Sequence, residues 1–201
     1  MCNLYSQTRA QEAMRQIFRP VRLVDRTGNL PSLAEIYPDY HAPIVRTGED
    51  GREMVMARWG MPTPPKYLEG KKTDRGVTNI RNVRSPHWRR WLGPANRCLV
   101  PFTRFNEGPW FELADDRPVF FAGIWTRWTS VRKLRDGETT DDLYAFLTTT
   151  PNAEVAAVHP KAMPVILTDP SDWTTWLDAP AEIALQLQRP LPDGALRIAG
   201  A

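Results

Sequence analysis

The chain has 201 residues, 42% hydrophobic and 24% charged, enough to bury one core and too few for two comfortable ones, so a single domain over 1–190 with a C-terminal tail over 191–201 is expected. No run of about 18 apolar residues is present and the opening MCNLYSQTRAQEAMRQ lacks the apolar centre of a secretion signal, so a membrane role is excluded and a cytoplasmic location is expected. The formal net charge is only +3, and two cysteines, Cys2 and Cys98, supply neither a disulfide framework nor the spacing of a zinc site, so no metal or organic cofactor is expected.

Taken along the chain, residues Gln7 to Phe18 carry Ala10, Ala13, Met14, Ile17 and Phe18 at helical spacing, with Ser6 or Thr8 as the cap. Arg22 to Gly51 reads as turn-rich, Glu53 to Trp59 as a strand ending at Gly60-Met61-Pro62, and Pro62 to Lys72 as a loop. Val77 to Arg81 predicts a strand, Pro86 to Leu92 a short helix with proline in its first turn, and Arg97 to Pro101 a buried strand. Trp110 to Leu113 and Pro118 to Trp128 read as a hairpin. A charged loop from Lys133 to Asp142 precedes a strand over Leu143 to Thr150. Pro151 to Val158 is helical in character, Pro164 to Thr168 a last strand, and short helices cover Asp172 to Leu177 and Ala181 to Leu187. Residues beyond Pro190 are expected to fray. Such short connections imply mostly antiparallel pairing, and the class is α+β, a curved or barrel-like sheet with peripheral helices.

The chemistry is concentrated at Cys2. If Met1 is removed, one residue carries both an α-amine, of reference pKa about 7.7 to 8.0, and a thiol of about 8.5. The amine can add to an aldehyde to give a Schiff base, and the thiol can close onto the imine carbon to form a five-membered thiazolidine. Only an N-terminal cysteine closes that ring. Cys98, inside the apolar run RCLVP, reads instead as a core residue. Arg75, Arg81, Arg84, Arg89, Arg90 and Arg97 are interleaved with His87, Trp88 and Trp91 and no acidic residue, a pattern that suits a phosphate backbone and unstacked bases as well as a solvated basic face.

Four separated pieces, Cys2, Thr78-Asn79-Ile80-Arg81-Asn82, Arg97-Cys98-Leu99-Val100-Pro101 running on to Phe105-Asn106-Glu107, and Val158-His159-Pro160-Lys161-Ala162-Met163-Pro164-Val165-Ile166-Leu167, together resemble the SRAP family, the abasic-site processing proteins of single-stranded DNA. The resemblance spans roughly Met1 to Leu167. It implies that the Cys2 amine and thiol capture the ring-opened aldehyde of an abasic deoxyribose as a stable crosslink, with lyase activity from the same Schiff base. Glu107 would move protons during imine formation and help reverse the linkage, which needs a carboxyl whose pKa is lifted by burial. His159 would act on the sugar hydroxyl or leaving oxygen as acid or base. Asn79 would orient the reacting sugar or amine, with Asn82 as rival, and Arg81, with Arg84 as rival, would grip a phosphate beside the lesion. Trp59 resembles the family aromatic that stacks on bases, and as a strand-end tryptophan it also suits the core. His41 and His87 carry no motif support.

The chain departs from the family pattern in places. Asn3 and Leu4 follow Cys2 where Gly-Arg is common, Gly108 stands where a tryptophan commonly follows the glutamate, and the loop after Gly60 lacks a second tryptophan. The spacing from His159 to Met163 is one residue longer than in many members. Two other classes remain open: a cysteine hydrolase using Cys2, His159 and an asparagine, and a nucleic-acid binding module without chemistry. The partner expected is single-stranded DNA containing abasic sites, and a monomer is the default.

Overall fold

Residues 98–100 and 143–147 read as unbroken apolar runs because their successive side chains are buried against different layers. The computed structural model describes residues 2–19 and 23–200, so the expected cleavage at Met1 and the first residue of the predicted turn-rich stretch, Arg22, lie outside the described residues. From the N-terminus the elements are β1 (Tyr5–Gln7), α1 (Gln11–Ile17), β2 (Leu23–Asp25), β3 (Leu33–Ile36), β4 (His41–Gly48), β5 (Gly51–Trp59) and β6 (Asn79–Ile80). The middle of the chain supplies α2 (Pro86–Arg89), β7 (Arg97–Pro101), β8 (Arg104–Asn106), β9 (Trp110–Leu113), β10 (Phe120–Val131) and β11 (Glu138–Thr149). The last part holds α3 (Ala153–Ala156), β12 (Met163–Pro164), β13 (Ile166–Leu167), α4 (Pro170–Asp178), α5 (Ala181–Ala184) and β14 (Leu196–Ile198).

In the larger sheet, β11, β10, β7, β4 and β5 follow one another as neighbours, and a further pairing of β11 with β5 closes them into a five-stranded barrel. Closure leaves two faces to fill, and period-2 alternation divides the side chains between them. Along β11, Tyr144 and Phe146 join Cys98, Val100, Phe121 and Trp59 in one buried cluster. Leu143, Ala145 and Leu147 join Leu99, Phe120, Ala122 and Ile124 in the other. The second cluster includes Met14 of α1, Trp88 of α2, Trp173, Trp176 and Leu177 of α4 and Ala184 of α5, so it is the outer face, roofed by the helices. Trp176 anchors that roof by donating its indole N–H to the carbonyls of Cys98 and Gly123, each at 3.0 Å. Gly123 faces inward where a Cβ would stand 2.8 Å from the Cys98 sulfur, which leaves no room for a side chain.

A smaller sheet, in the order β14, β9, β8, β1, β3, carries Tyr5, Ile36, Phe105, Phe111 and Leu196 into the inner cluster. The N-terminal segment is thereby bound to the barrel interior, and Cys2 is fully buried. Among the described residues no helix is long and apolar enough to cross a membrane.

The expected α+β, barrel-like class is the class observed, and several local expectations are corrected. The first helix begins at Gln11, not Gln7, because Ser6 and Gln7 extend β1, where the Ser6 hydroxyl meets Thr103 Oγ1 at 2.9 Å; Ala10 takes the N-cap position with no side-chain cap. The stretch read as turns after Arg22 contains β2, β3 and β4. Strands β9 and β10 form no hairpin: β9 pairs with β8 and β14, β10 with β7, β11 and β13. The charged residues at 138–142 are strand rather than loop, since Arg58 reaches Asp141 at 3.0 Å and Arg46 reaches Asp142 at 2.9 Å, neutralising the acids where they stand on β11. Three pairings, β2–β5, β5–β11 and β6–β11, are parallel. Residues 191–200 pack on the fold rather than fraying, with Leu191 and Leu196 buried and β14 added to the edge of β9.

Candidate functional site

Cys2 is fixed from both sides before β1 begins. Its carbonyl accepts a hydrogen bond from Asn79 Nδ2 at 2.8 Å, and its thiol donates to the Leu4 carbonyl at 3.4 Å. Leu4 is held in turn, its carbonyl accepting from the Asn106 backbone N–H at 2.9 Å at the end of β8. Asn79 reaches this position because β6 lies parallel to β11, with Asn79 opposite Phe146. Asn82, the rival, is exposed three residues later, where its side chain accepts from the Arg84 N–H at 3.1 Å and closes a local turn. The structure therefore brings Asn79, not Asn82, to Cys2.

Glu107 follows β8 directly, so the same strand end that ties down Leu4 delivers the carboxyl to the site. Its side chain is only 4% exposed, and its Oε2 lies 3.6 Å from His159 Nδ1. His159 sits one turn beyond α3, where its backbone N–H donates to Val155 at 2.7 Å. Its Nδ1 is 2.8 Å from the Ala162 carbonyl, which can only accept, so Nδ1 carries a hydrogen. That bond absorbs the extra residue between His159 and Met163: the added length forms a turn closed by the imidazole. Gly108 is also accounted for, since its φ of +107° lies in the region that favours glycine over a tryptophan.

The electrostatics follow from burial. Removal from water pushes the Cys2 thiol pKa up to about 12, and the nearby Glu107 carboxylate adds to the effect. Burial likewise holds the Glu107 pKa above the ordinary range, opposed in part by the N-terminal ammonium group and by His159. Burial thus shifts both groups toward their protonated forms. Above them is an open cavity of about 360 Å³ lined by Asn3, Leu4, Asn106, Glu107, Gly108 and His159. Asn3, Leu4 and Asn106 were not singled out from sequence as site residues; their adjacency to Cys2 and Glu107 was the available signal.

The arginine-rich stretch divides on folding. Arg75, Arg81, Arg84, Arg89 and Arg90 are exposed, whereas Arg97 is fully buried, bonded to the Ala179 carbonyl and 5.5 Å from the Trp176 ring. Trp88 and Trp91 are core residues, so the aromatics of this stretch offer no open stacking face. Trp59 is corrected in the same way. It is fully buried, stacked on Phe146 at 5.2 Å and edge-on to Tyr5 at 5.1 Å, and it donates its indole N–H to the Thr78 carbonyl at 3.2 Å. Its rings are covered by protein, and its place is to hold the segment that presents Asn79. Cys98 is buried in the barrel interior. Among the described residues no three His, Cys, Asp or Glu side chains gather as metal donors.

Comparison with known proteins finds the same fold elsewhere. A solved protein from Bordetella bronchiseptica is 27% identical, with 98% of this chain and 97% of that one covered at a TM-score of 0.69. A protein from Bacteroides thetaiotaomicron, 19% identical, covers 98% and 90% at a TM-score of 0.73, and a phage-related protein from Bordetella bronchiseptica, 20% identical, covers 98% and 92% at 0.67; these two share the fold. A comparison with curated proteins found no match. The family model described as SOS response associated peptidase (SRAP) matches residues 1–199, and the chain belongs to that family.

Proposed function

We propose that the protein, once Met1 is removed, recognises abasic sites in single-stranded DNA and crosslinks to them through Cys2. The observation that carries this reading is the convergence of four distant segments: Asn79 on the Cys2 carbonyl, Glu107 directly after Asn106, whose backbone N–H holds Leu4 beside Cys2, and His159 3.6 Å from Glu107. The released α-amine attacks the aldehyde carbon of the opened sugar to give a carbinolamine. Glu107, whose pKa burial raises, gives a proton to the departing hydroxyl, water leaves, and the imine forms in its protonated state. The resulting carboxylate then takes the thiol proton as sulfur bonds to the imine carbon, closing the thiazolidine. A thiol with a pKa of about 12 is a poor nucleophile unless a base is beside it, so this order suits the site.

His159 serves the sugar hydroxyl, and if the imine persists, loss of the 3′ phosphate by β-elimination gives a lyase activity. The same steps reversed release the crosslink. Exposed Arg81 and Arg84, with the cavity of about 600 Å³ beside Lys71, Lys72 and Arg75, supply positive charge for the DNA backbone. The hydrolase alternative needs no free α-amine, so retaining Met1 should spare hydrolysis of a small ester or peptide while abolishing the crosslink.

The deciding experiment incubates Met1-processed protein with end-labelled single-stranded DNA carrying one abasic site, beside Cys2→Ala and intact-DNA controls, on a denaturing gel. A heat-stable shifted band requiring both the lesion and Cys2 is expected. Its absence, with methionine removal verified by mass, would sink the crosslinking reading.

A further inference from the structure

We infer that Thr78 is a positioning residue that locks the side-chain amide of Asn79 in one orientation, so that Oδ1 is kept as the acceptor for the group arriving at Cys2; this rests on the crosslinking reading above. Asn79 Nδ2 has two hydrogens to place. One goes to the Cys2 carbonyl at 2.8 Å and the other to Thr78 Oγ1 at 2.9 Å. The Cys2 carbonyl sets the sense of the amide, since turning it over would bring two acceptor oxygens together. Thr78 then fixes its plane.

The remaining atom, Asn79 Oδ1, is buried and makes no hydrogen bond among the described residues. Buried carbonyl oxygens are nearly always satisfied, and an exception beside a reactive residue is a place for an incoming donor. An N–H or O–H of the carbinolamine at the Cys2 nitrogen supplies that donor. Thr78 is itself rigidly placed. Its carbonyl receives the Trp59 indole N–H at 3.2 Å, the preceding Val77 exchanges backbone hydrogen bonds with Met61 at 2.8 and 2.9 Å, and a β-branched side chain has few χ1 choices. The buried tryptophan thus acts on the site through Thr78.

The test compares wild type with Thr78→Val and Thr78→Ser, all Met1-processed. Single-turnover crosslinking to abasic single-stranded DNA should slow about fivefold in Thr78→Val, the worth of one hydrogen bond, and recover in Thr78→Ser. In an Asn79→Ala background, Thr78→Val should have no further effect. A folded Thr78→Val protein that crosslinks at the wild-type rate, or is slowed equally without Asn79, overturns the inference. Nitrogen-edited NMR of the DNA-free protein reads the contact without any reaction: the Asn79 side-chain protons should exchange faster in Thr78→Val and at the wild-type rate in Thr78→Ser. Equal exchange in all three also overturns it. A wild type that makes no crosslink while exchange responds as expected would refute the crosslinking reading and leave the Thr78–Asn79 contact standing.

Discussion

Replacing Glu107 by glutamine should make the protein more stable and less active at once. The side chain is 4% exposed and burial holds its pKa above the ordinary range, so folding shifts the carboxyl toward its neutral form. A carboxyl whose folded pKa exceeds its unfolded value contributes stability below the unfolded pKa, about 4.3, and that contribution is lost as pH rises through the folded value. Glutamine keeps the neutral side chain at every pH. Taking a carboxylate out of water costs several kcal/mol, and only part returns through the N-terminal ammonium group and through His159 at 3.6 Å, so a net gain of about 1 kcal/mol is expected near pH 7, a rise in Tm of about 2–4 °C. The gain should vanish near pH 4, where the native carboxyl is also protonated. Glutamine can neither give nor take a proton, so single-turnover crosslinking should fall by about 10²–10⁴. Thermal melts across pH, run beside gel-based crosslinking rates, measure both effects. A Glu107→Gln protein that melts at or below wild type at neutral pH and crosslinks within about tenfold of it would refute this account and make Glu107 a structural carboxylate.

Three further outcomes are expected. Trp59→Ala should cost about 3–5 kcal/mol of stability in urea titrations, as for any large buried aromatic, while the folded fraction binds intact single-stranded DNA as wild type does; a lost affinity at unchanged stability would restore the stacking role. Arg81→Ala and Arg84→Ala should each leave the melting temperature within error and reduce the slope of log affinity against log salt by about 0.7 if the residue meets a phosphate, measured by fluorescence anisotropy. Truncation after Pro190 removes the buried Leu191 and Leu196 and bares the edge of β9, and should destabilise the fold by about 3 kcal/mol or more; a truncated protein with the wild-type denaturation midpoint would mean that the tail is dispensable.

The sequence alone determined what depends on local pattern and on reactive groups. The apolar runs of RCLVP and Leu143 to Leu147 announce strands buried on both faces, and the structure has β7 and β11 there. The resemblance of four separated motifs to one family groups Cys2, Asn79, Glu107 and His159 before any contact is known. Choice of partner was beyond local pattern, because alternation fixes which side of a strand is apolar and says nothing about the neighbouring strand. Hence β9 was joined to β10, although closing the barrel commits β10 to β7 and β11 and leaves β9 to β8 and β14. Aromatic and cationic side chains posed the same problem. Trp59 and Arg97 each suit a surface or an interior, and only barrel closure and the packing of α4 decided that both are enclosed. The choice between Asn79 and Asn82 was tertiary too: both precede an arginine by two residues, and Asn79 is the one that reaches the carbonyl of Cys2 because β6 lies beside β11.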